Sequence, residues 1–313
     1  MPELPEVETI ARGLAKRVTG DVVESVWLGQ KKEPLKSPGP EIAAALEQSR
    51  ITAVRRMGKH IVFDLDHVGN VERAPSPAKG RKRNKNPKGS KGISTSNPPP
   101  APAEPDKSVR PTSGRAQWIV HLGMTGSLRV CEPQTEVAKH THAILKLASG
   151  REVRFVDPRR FGRLSVATSA EFDATGVEPL EIDLEAFIAL FRGRKTPIKS
   201  ALLNQKLLRG VGNIYADESL FRAGLRPRRR ASSITRDQLA KLHSAVKEVL
   251  KEAIALGGSS ISDYVGAEGE EGFFQLQHRV YGREAEPCLV CKTPIKRVVI
   301  AGRSSHYCPN CQK

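Results

Sequence analysis

The sequence predicts an α+β protein built from several domains. Three observations lead to this class. One amphipathic helix and then strand-like alternation occupy the first 170 residues, helical periodicity follows from about residue 180, and two Cys-x-x-Cys pairs stand near the end. With 313 residues, 38% of them hydrophobic, the chain is long enough for two or three domains with their own cores.

The first part of the chain, residues 1–170, is predicted to be one helix followed by a β-rich domain. Val7, Ile10, Leu14 and Val18 recur at helical spacing. Apolar and polar residues then alternate as in half-buried strands, or form short apolar runs. These strands are expected over 61–66, 117–122, 143–147 and 153–156.

An insertion at 69–116 interrupts this domain between two predicted strands. Residues 70–116 contain nine prolines, eleven Lys or Arg, three acidic residues and no aromatic residue. Such a segment buries too little apolar surface to offset its chain entropy, so it is predicted to be disordered. Two interpretations stay open for it: a DNA-tethering arm, or a loop insertion that the fold merely tolerates.

The middle of the chain is predicted to be helical, with helices over 183–192, 197–208, 213–223 and 235–256. The last of these has the clearest ends. Thr235 and Gln238 fit a capping box at its start, and Gly257-Gly258 fit a glycine cap at its end.

The charge of the chain indicates its class of partner. A net charge of +17 favours a polyanion, with nucleic acid first. No stretch approaches the ~18 consecutive apolar residues of a membrane span. The first residues are acidic and lack the apolar segment of a secretory signal, so we expect a cytoplasmic protein without membrane contact.

The cysteine pairs predict one structural zinc ion. Cys288-x-x-Cys291 is followed after sixteen residues by Cys308-x-x-Cys311, and four thiolates at this spacing suit a closed tetrahedral site. A redox or disulfide role would not need two such pairs. A closed site leaves no position for a substrate, so we expect no chemistry at the metal.

A glycine-rich stretch at 209–216 precedes one of the predicted helices. Glycines at a helix start let the free backbone amides approach an anion, and Asn213 would either cap the helix or donate to a phosphate. The stretch lacks the Lys-Ser/Thr of a nucleotide-binding P-loop. The plain alternative is a turn between two helices.

The N-terminus offers a reactive amine if Met1 is removed, as is usual before a small second residue. Pro2 would then be a free secondary amine, and an α-amino group has an ordinary pKa near 8, well below that of lysine. Such an amine attacks aldehyde-level carbon and forms an iminium, an electron sink that drives elimination. Glu3 would lie beside it as a general acid or base. On composition alone, these first residues indicate an ordinary N-terminus without a catalytic role.

Five motifs in order bring these features together. They are Met1-Pro-Glu-Leu-Pro-Glu-Val-Glu-Thr9, His121-Leu-Gly-Met-Thr-Gly-Ser-Leu128, Asp157-Pro-Arg-Arg-Phe-Gly162, Gly210-Val-Gly-Asn-Ile-Tyr-Ala-Asp-Glu218 and the two cysteine pairs. Outside the insertion, the whole chain closely resembles the bacterial formamidopyrimidine-DNA glycosylases, which repair 8-oxoguanine and belong to the Fpg/Nei family.

The resemblance implies a fold. Residues 1–170 would form a β-sandwich with an N-terminal helix, and 171–278 a helix–two-turn–helix (H2TH) DNA-binding domain. Within the latter, 257–277 would be the lesion-capping loop, unusually acidic here at Glu268, Glu270 and Glu271. Residues 279–313 would form a zinc ribbon.

The resemblance also implies an activity: removal of oxidised purines from duplex DNA, followed by β- and δ-elimination at the abasic site. Pro2 would be the Schiff-base nucleophile and Glu3 the proton donor that helps open the sugar. Lys59 would act in β-elimination, and Arg303 in δ-elimination.

For the remaining site residues, the resemblance implies contacts with DNA. Met124, Arg159 and Phe161 match the residues that fill the gap left by the flipped base, with Arg159 reaching the orphaned cytosine. Another three, His140, Arg194 and Asn213, match contacts made mainly to phosphates.

Two alternatives remain for the function. One is an endonuclease VIII-like glycosylase for oxidised pyrimidines, although the residues after Glu3 and the Met124/Arg159/Phe161 set favour the purine enzyme. The other is an inactive DNA-binding protein that keeps the H2TH and zinc modules. The presence of both Pro2 and Glu3 argues against this alternative. The family resemblance further implies a monomer associated with the nucleoid.

Overall fold

The computed structural model describes residues 2–68, 115–168, 170–259 and 272–313. The predicted insertion therefore lies outside the described residues, except for 115–116 at the start of a strand. The 257–277 loop is described only at its two ends, and its three acidic residues lie outside.

The N-terminal part forms one antiparallel sheet with two helices. This confirms the β-rich domain and its first helix, whereas the short helix over 39–46 was not predicted. The helices are α1 (Leu4–Val18) and α2 (Gly39–Leu46). The strands are β1 (Val22–Leu28), β2 (Ser49–Met57), β3 (His60–His67), β4 (Arg115–His121), β5 (Ser127–Cys131), β6 (Thr141–Leu147), β7 (Glu152–Val156) and β8 (Arg163–Ala167). All eight join in the order β5-β7-β6-β1-β2-β3-β4-β8.

A single hydrophobic core unites this sheet with its two helices. The core takes buried side chains from all eight strands and from both helices, and Phe63 and Trp118 pack at its centre with ring centroids 4.9 Å apart. The four residues at helical spacing in α1 all enter it. The eight strands and the two helices therefore share one hydrophobic interior.

The middle part has its own core, formed by α3 (Leu184–Phe191), α4 (Ile198–Leu202), α5 (Asn213–Arg222) and α6 (Arg236–Ala255). The predicted capping box of α6 is present, with Thr235 Oγ1 accepting from Gln238 N and Gln238 Oε1 from Thr235 N. Gly257 and Gly258 follow at positive φ.

One predicted helix is too long. The prediction placed a helix over 197–208, but α4 ends at Leu202. Beyond it, Asn204 turns the chain: its backbone carbonyl accepts from Leu207 and Leu208, and its Oδ1 accepts from Lys206 N. An asparagine side chain that binds nearby backbone competes with the helical ladder, which apolar spacing alone does not reveal.

The C-terminal part is a small ribbon with a two-stranded hairpin, β9 (Lys296–Ile300) and β10 (Arg303–Tyr307). It docks on the helical part through its last residues. Lys313 N donates to Gly224 O, and the Arg226 guanidinium donates to the carbonyls of Gln312 and Pro309.

The start of α1 joins two cores and thereby positions the site. Val7 and Ile10 belong to the core of the sheet, whereas Leu4 belongs to the helical core. Leu4 N also donates to Gly210 O at 3.0 Å. The predicted domain limits at 170 and 278 stay predictions. No helix among the described residues is long and apolar enough to cross a bilayer.

Candidate active site and zinc centre

Glu3 lies against the first turn of α5. Its side chain is almost fully buried, and Oε1 accepts a hydrogen bond from Ile214 N at 3.2 Å. A Cβ on Gly212 would lie 2.1 Å from the Glu3 carboxyl carbon, so only glycine fits there. The glycine-rich stretch thus does bring a helix start close to an anion, but the anion is this chain's own carboxylate.

Burial sets the protonation state of this carboxyl. Loss of solvent raises the pKa of Glu3 to about 7, against the opposing attraction of the Lys59 ammonium and the Ile214 N–H donor. Near neutral pH, roughly half of the molecules therefore hold a proton on Glu3. Pro2, half-buried, immediately precedes it.

Lys59 lies close to Glu3, and Arg303 lies close enough to Lys59 to act on its charge. Lys59 lies in the turn between β2 and β3 and is 9% exposed, and burial lowers the pKa of its amine although Glu3 attracts its charge. Arg303 is the exposed first residue of β10, and its charge lowers the pKa of Lys59 further. The sheet therefore supplies the cation that acts on Glu3, and the ribbon supplies a second cation that acts on Lys59.

Asn213 opens α5 but does not cap it, because the N-cap residue is Gly212 and makes no side-chain cap. The Asn213 amide Nδ2 instead donates to Ser304 Oγ at 3.3 Å. Asn213 thus joins the helix start to the hairpin that carries Arg303.

Sequence reasoning missed Glu6, which organises the N-terminus from within. Its Oε2 accepts from Glu3 N at 2.8 Å, while Oε1 accepts from Ser259 N at 2.8 Å and from the Tyr215 hydroxyl. Burial raises the pKa of Glu6. Glu6 therefore links the active-site carboxyl to the beginning of the 257–277 loop. Only its place in the first turn of α1 hinted at a capping role.

A buried ion pair, also missed, fixes the Arg303 hairpin to the helices. Lys199 Nζ donates to Asp217 Oδ1 and to Ser304 O, both at 2.6 Å, and both charged side chains are fully buried. Asp217 Oδ2 also accepts from His306 N at 2.8 Å. The backbone on both sides of Ser305 is thereby tied to α4 and α5.

Removing the cation of this pair should destabilise the fold strongly. We expect Lys199→Met to lower the free energy of unfolding by about 3–5 kcal/mol, because Asp217 would stay buried without its cation. Denaturant unfolding of the full chain measures this, and Lys241→Met on the exposed face of α6 is the matched control. The double variant Lys199→Met/Asp217→Asn should recover part of the loss. A single-variant effect below about 1 kcal/mol would contradict the prediction.

Met124, Arg159 and Phe161 form a second group on loops at strand ends. Met124 and Phe161 are exposed, and the Arg159 guanidinium carbon lies 4.8 Å from the Phe161 ring centre. Two exposed apolar side chains beside a stacked arginine are available to a ligand, and core packing does not explain them.

Asp157 holds the loops of this group together. Fully buried, it accepts from Thr125 Oγ1 at 2.6 Å, and from Gly162 N at 2.7 Å. Its own backbone N–H donates to His140 O at 3.0 Å, so His140, an exposed residue, lies near the same loops. Asp157 stood in a quoted motif without a role, since the sequence does not show its burial.

The predicted site residues thus fall into three places. Pro2, Glu3, Lys59, Arg303 and Asn213 gather where the three parts of the chain meet. Met124, Arg159, Phe161 and His140 form the loop group. Arg194 contacts neither: it is exposed after α3, and its Nε donates to Leu190 O.

The four cysteines of the ribbon come together as predicted. Their sulfur atoms all lie within 4.8 Å of one another, with Cys291 and Cys308 3.4 Å apart and Cys288 and Cys311 3.9 Å apart. Tetrahedral zinc with bonds near 2.3 Å places its sulfurs about 3.8 Å apart, so the set fits. The protein has one structural zinc, whose binding energy stabilises the ribbon that presents Arg303.

Comparison with known proteins covers the whole chain. The formamidopyrimidine-DNA glycosylase N-terminal domain matches residues 1–164, the H2TH domain of the same proteins 175–265, and the zinc finger found in FPG and IleRS 285–313. The formamidopyrimidine-DNA glycosylase of Solibacter usitatus is 42% identical over 318 residues, and that of Gluconobacter oxydans 36% over 326, each alignment covering both chains completely.

Solved structures agree with these matches. The MutM (Fpg) protein of Thermus thermophilus superposes with a TM-score of 0.75 at 36% identity, covering 99% of this chain and 98% of its own. A mutant Fpg of Lactococcus lactis in complex with Fapy-dG containing DNA gives 0.78 at 27% identity, with both chains fully covered. The resemblance drawn from the sequence motifs is confirmed, and the chain belongs to the formamidopyrimidine-DNA glycosylase family, the zinc-containing DNA glycosylases of base-excision repair.

Proposed function

We propose that this glycosylase removes oxidised purines from duplex DNA and then cleaves the abasic site through a Schiff base on Pro2. The observation that carries the proposal is the Glu3 carboxyl. It is buried one residue after Pro2 and lies close enough to Lys59 to attract its charge, and because its pKa is about 7, roughly half of the molecules hold a proton on it near neutral pH.

The first step exchanges one bond at C1′ of the sugar for another. After removal of Met1, the Pro2 nitrogen attacks C1′. The damaged base leaves with the electrons of the glycosidic bond and takes up the proton that Pro2 loses. Glu3 gives its proton to O4′ as the C1′–O4′ bond breaks, and the Pro2 nitrogen completes the iminium.

The eliminations follow from the electron demand of the iminium. Loss of a proton from C2′ expels the phosphate at C3′, and loss of a further proton at C4′ expels the phosphate at C5′. Lys59, an amine whose pKa burial has lowered, suits the first proton transfer, and Arg303 suits stabilisation of a departing phosphate. Water then releases the sugar fragment from Pro2.

The loop group would occupy the space of the extruded base. Met124 and Phe161 are apolar and exposed, as a wedge that replaces lost stacking requires, and Arg159 would donate to the cytosine left unpaired. Arg194 and His140 would contact phosphates, and both are exposed, as such contacts require.

The relatives support this substrate class. The Lactococcus lactis protein has been crystallised with Fapy-dG containing DNA and also with DNA containing an oxidised pyrimidine, so both lesion classes belong in the test. Action as a monomer stays a prediction from the family resemblance.

Borohydride trapping tests the proposal directly. The protein is mixed with four duplexes, carrying 8-oxoguanine opposite cytosine, an oxidised pyrimidine, a preformed abasic site or no lesion, and any covalent adduct is mapped by peptide mass. We expect an adduct on Pro2 with the 8-oxoguanine and abasic duplexes.

Each other result changes a defined part of the proposal. Faster trapping on the oxidised pyrimidine would move the substrate class to that of the endonuclease VIII-like enzymes. An adduct on a lysine would overturn the role of Pro2. Tight binding without any adduct, even at the abasic site, would favour the inactive DNA-binding protein.

A further inference from the structure

The histidine that opens the 121–128 motif makes a contact that the proposed mechanism does not use. His121 is the last residue of β4 and lies at the base of the loop that carries Met124. Its Nδ1 accepts a hydrogen bond from Gly123 N at 3.1 Å. This bond ties the residue directly before Met124 to a side chain at the end of the sheet.

The backbone of Gly123 needs this acceptor. Gly123 is buried, and a buried N–H without a partner costs free energy. Its φ is 66°, and a Cβ on it would lie only 2.5 Å from the Phe161 carbonyl carbon. The Gly123 backbone is thus in close contact with the loop that carries Phe161. Its placement therefore sets how the Met124 and Phe161 loops fit together.

The imidazole of His121 is in the state that can accept this bond. Burial lowers its pKa to about 4, and the charges of His60, Arg163 and Lys59 act in the same direction. Near neutral pH the ring is therefore uncharged, with one nitrogen protonated and the other an acceptor. Because Nδ1 accepts from Gly123 N, the proton of the ring lies on Nε2.

Two neighbouring rings fix the orientation of this imidazole. His60 is the partner of His121 across β3 and β4, and the two ring centroids are 5.0 Å apart. The His60 ring packs in turn against the edge of Phe172, with centroids 5.1 Å apart. Phe172 belongs to the segment that follows β8, so two parts of the chain hold the His121 side chain in place.

Met124 lies at the apex of a loop that is anchored on both sides. Before it, Gly123 is bound to His121, and after it, Thr125 Oγ1 donates to the buried Asp157 at 2.6 Å. The Met124 side chain itself is exposed. A side chain that acts as a wedge between bases requires a backbone that does not yield when it is inserted.

We propose that His121 is a positioning residue for base extrusion, because its Nδ1 holds Gly123 and thereby fixes the loop from which Met124 enters the base stack. The inference rests on the proposed function for the role of Met124 as a wedge. His121 acts through this loop and has no part in the chemistry at C1′.

Two substitutions separate the two ring nitrogens of His121. Asparagine places its amide oxygen about where Nδ1 lies and can still accept from Gly123 N, whereas glutamine reaches about as far as Nε2. Extrusion is followed by stopped-flow fluorescence of 2-aminopurine next to 8-oxoguanine, and excision by single-turnover rates. Both are measured at saturating enzyme, so that differences in DNA affinity do not enter the comparison.

The two substitutions should differ in their effect. We expect His121→Gln to slow extrusion and excision about tenfold, as Met124→Ala does, because a buried donor loses its acceptor. His121→Asn should stay within a few-fold of the unaltered chain. The double variant His121→Gln/Met124→Ala should be no slower than the slower single variant, since both changes disable one wedge. His67→Gln, at the exposed end of β3, is the matched control and should change neither rate.

Three kinetic results would overturn the inference. Slower extrusion with asparagine than with glutamine would show that the other ring nitrogen matters. An additive loss in the double variant would assign His121 to a different step. An unchanged signal in Met124→Ala would remove the wedge from the proposed function and this inference with it, whereas a borohydride adduct on Pro2 with the abasic duplex would leave the proposed chemistry intact.

A further measurement needs no substitution. Selective ¹⁵N labelling of histidine distinguishes protonated from unprotonated ring nitrogens by NMR. In the unaltered chain at pH 7 we expect Nδ1 of His121 to be unprotonated and Nε2 to be protonated. A protonated Nδ1 could not accept from Gly123 N and would contradict the inference.

Discussion

Insertion of one lysine between Met1 and Pro2 should abolish both base excision and strand cleavage. The insertion turns the Pro2 nitrogen into an amide, whose lone pair is delocalised and cannot attack C1′. Removal of a covalent nucleophile costs a factor of about 10³ or more, so product formation should fall to background. Single-turnover assays on 8-oxoguanine and abasic duplexes measure the loss.

A matched variant separates the amine from the proline ring. Pro2→Gly keeps a free N-terminal amine, because methionine is also removed before glycine, and a primary amine still forms an imine with C1′. This variant should be slower but should still give a borohydride adduct at its first residue. DNA affinity of both variants should stay within a few-fold of the unaltered chain, because the substitutions leave the loop group and the cations of the helical part untouched.

A covalent adduct in the lysine-insertion variant would contradict the mechanism. Lys59 is the obvious substitute, since it is a buried amine with a lowered pKa near the same carboxyl. An adduct mapped to Lys59 would make it the nucleophile and leave Pro2 as a structural start of α1.

The elements that the sequence predicted well are those with local signals. The four residues at spacing three and four in α1 all reach the core, and the alternation over 61–66 lies within β3. The spacing of the four cysteines likewise predicts that their sulfur atoms come together. In each case the residues that make the pattern also make the contact.

Features that depend on long-range contacts escaped prediction. In the sheet, strand β1 lies between β6 and β2. These two neighbours are far apart along the chain, and no local pattern specifies that order. Glu6, Lys199 and Asp217 are charged residues that look like surface residues in the sequence, but the structure buries all three. Charge alone predicts exposure, and only the tertiary partners of these groups make their burial tolerable.

Glu3 shows the same limit within the active site. The sequence placed an acid beside a reactive amine, but its protonation state depends on Ile214, which is 211 residues away along the chain. Burial against α5 is what raises its pKa to about 7 and turns an ordinary carboxylate into a proton donor at neutral pH.

Glu3→Gln should separate the two activities. Loss of a positioned proton donor costs about 10²–10⁴ in rate, so excision of 8-oxoguanine should slow by that factor. Cleavage of a preformed abasic site should persist, since its sugar already opens without base loss and Pro2 is intact. Glu41→Gln on the exposed side of α2 removes one carboxylate elsewhere and should change neither rate.

The pH dependence gives the sharper test, because its direction identifies the group. An acid with a pKa of about 7 loses its proton as pH rises, while the Pro2 amine, with an ordinary pKa near 8, gains its free form. The two effects offset each other up to about pH 8, so excision by the unaltered chain should fall about tenfold per pH unit above that value. The folded chain also holds this proton more tightly than the unfolded chain. The stability that the protonated carboxyl contributes is therefore full below pH 4.5 and is lost as pH rises through 7.

In Glu3→Gln the falling limb should vanish, leaving a slow rate that does not decline between about pH 7 and 9. A falling limb that persists in the variant would assign the titration to another acid, and parallel loss of both activities with unchanged DNA binding would extend the role of Glu3 to the lyase step. A base such as Lys59 gives the opposite slope, because losing its proton activates it. The sign of the limb and its response to Glu3→Gln therefore decide which buried group moves the proton.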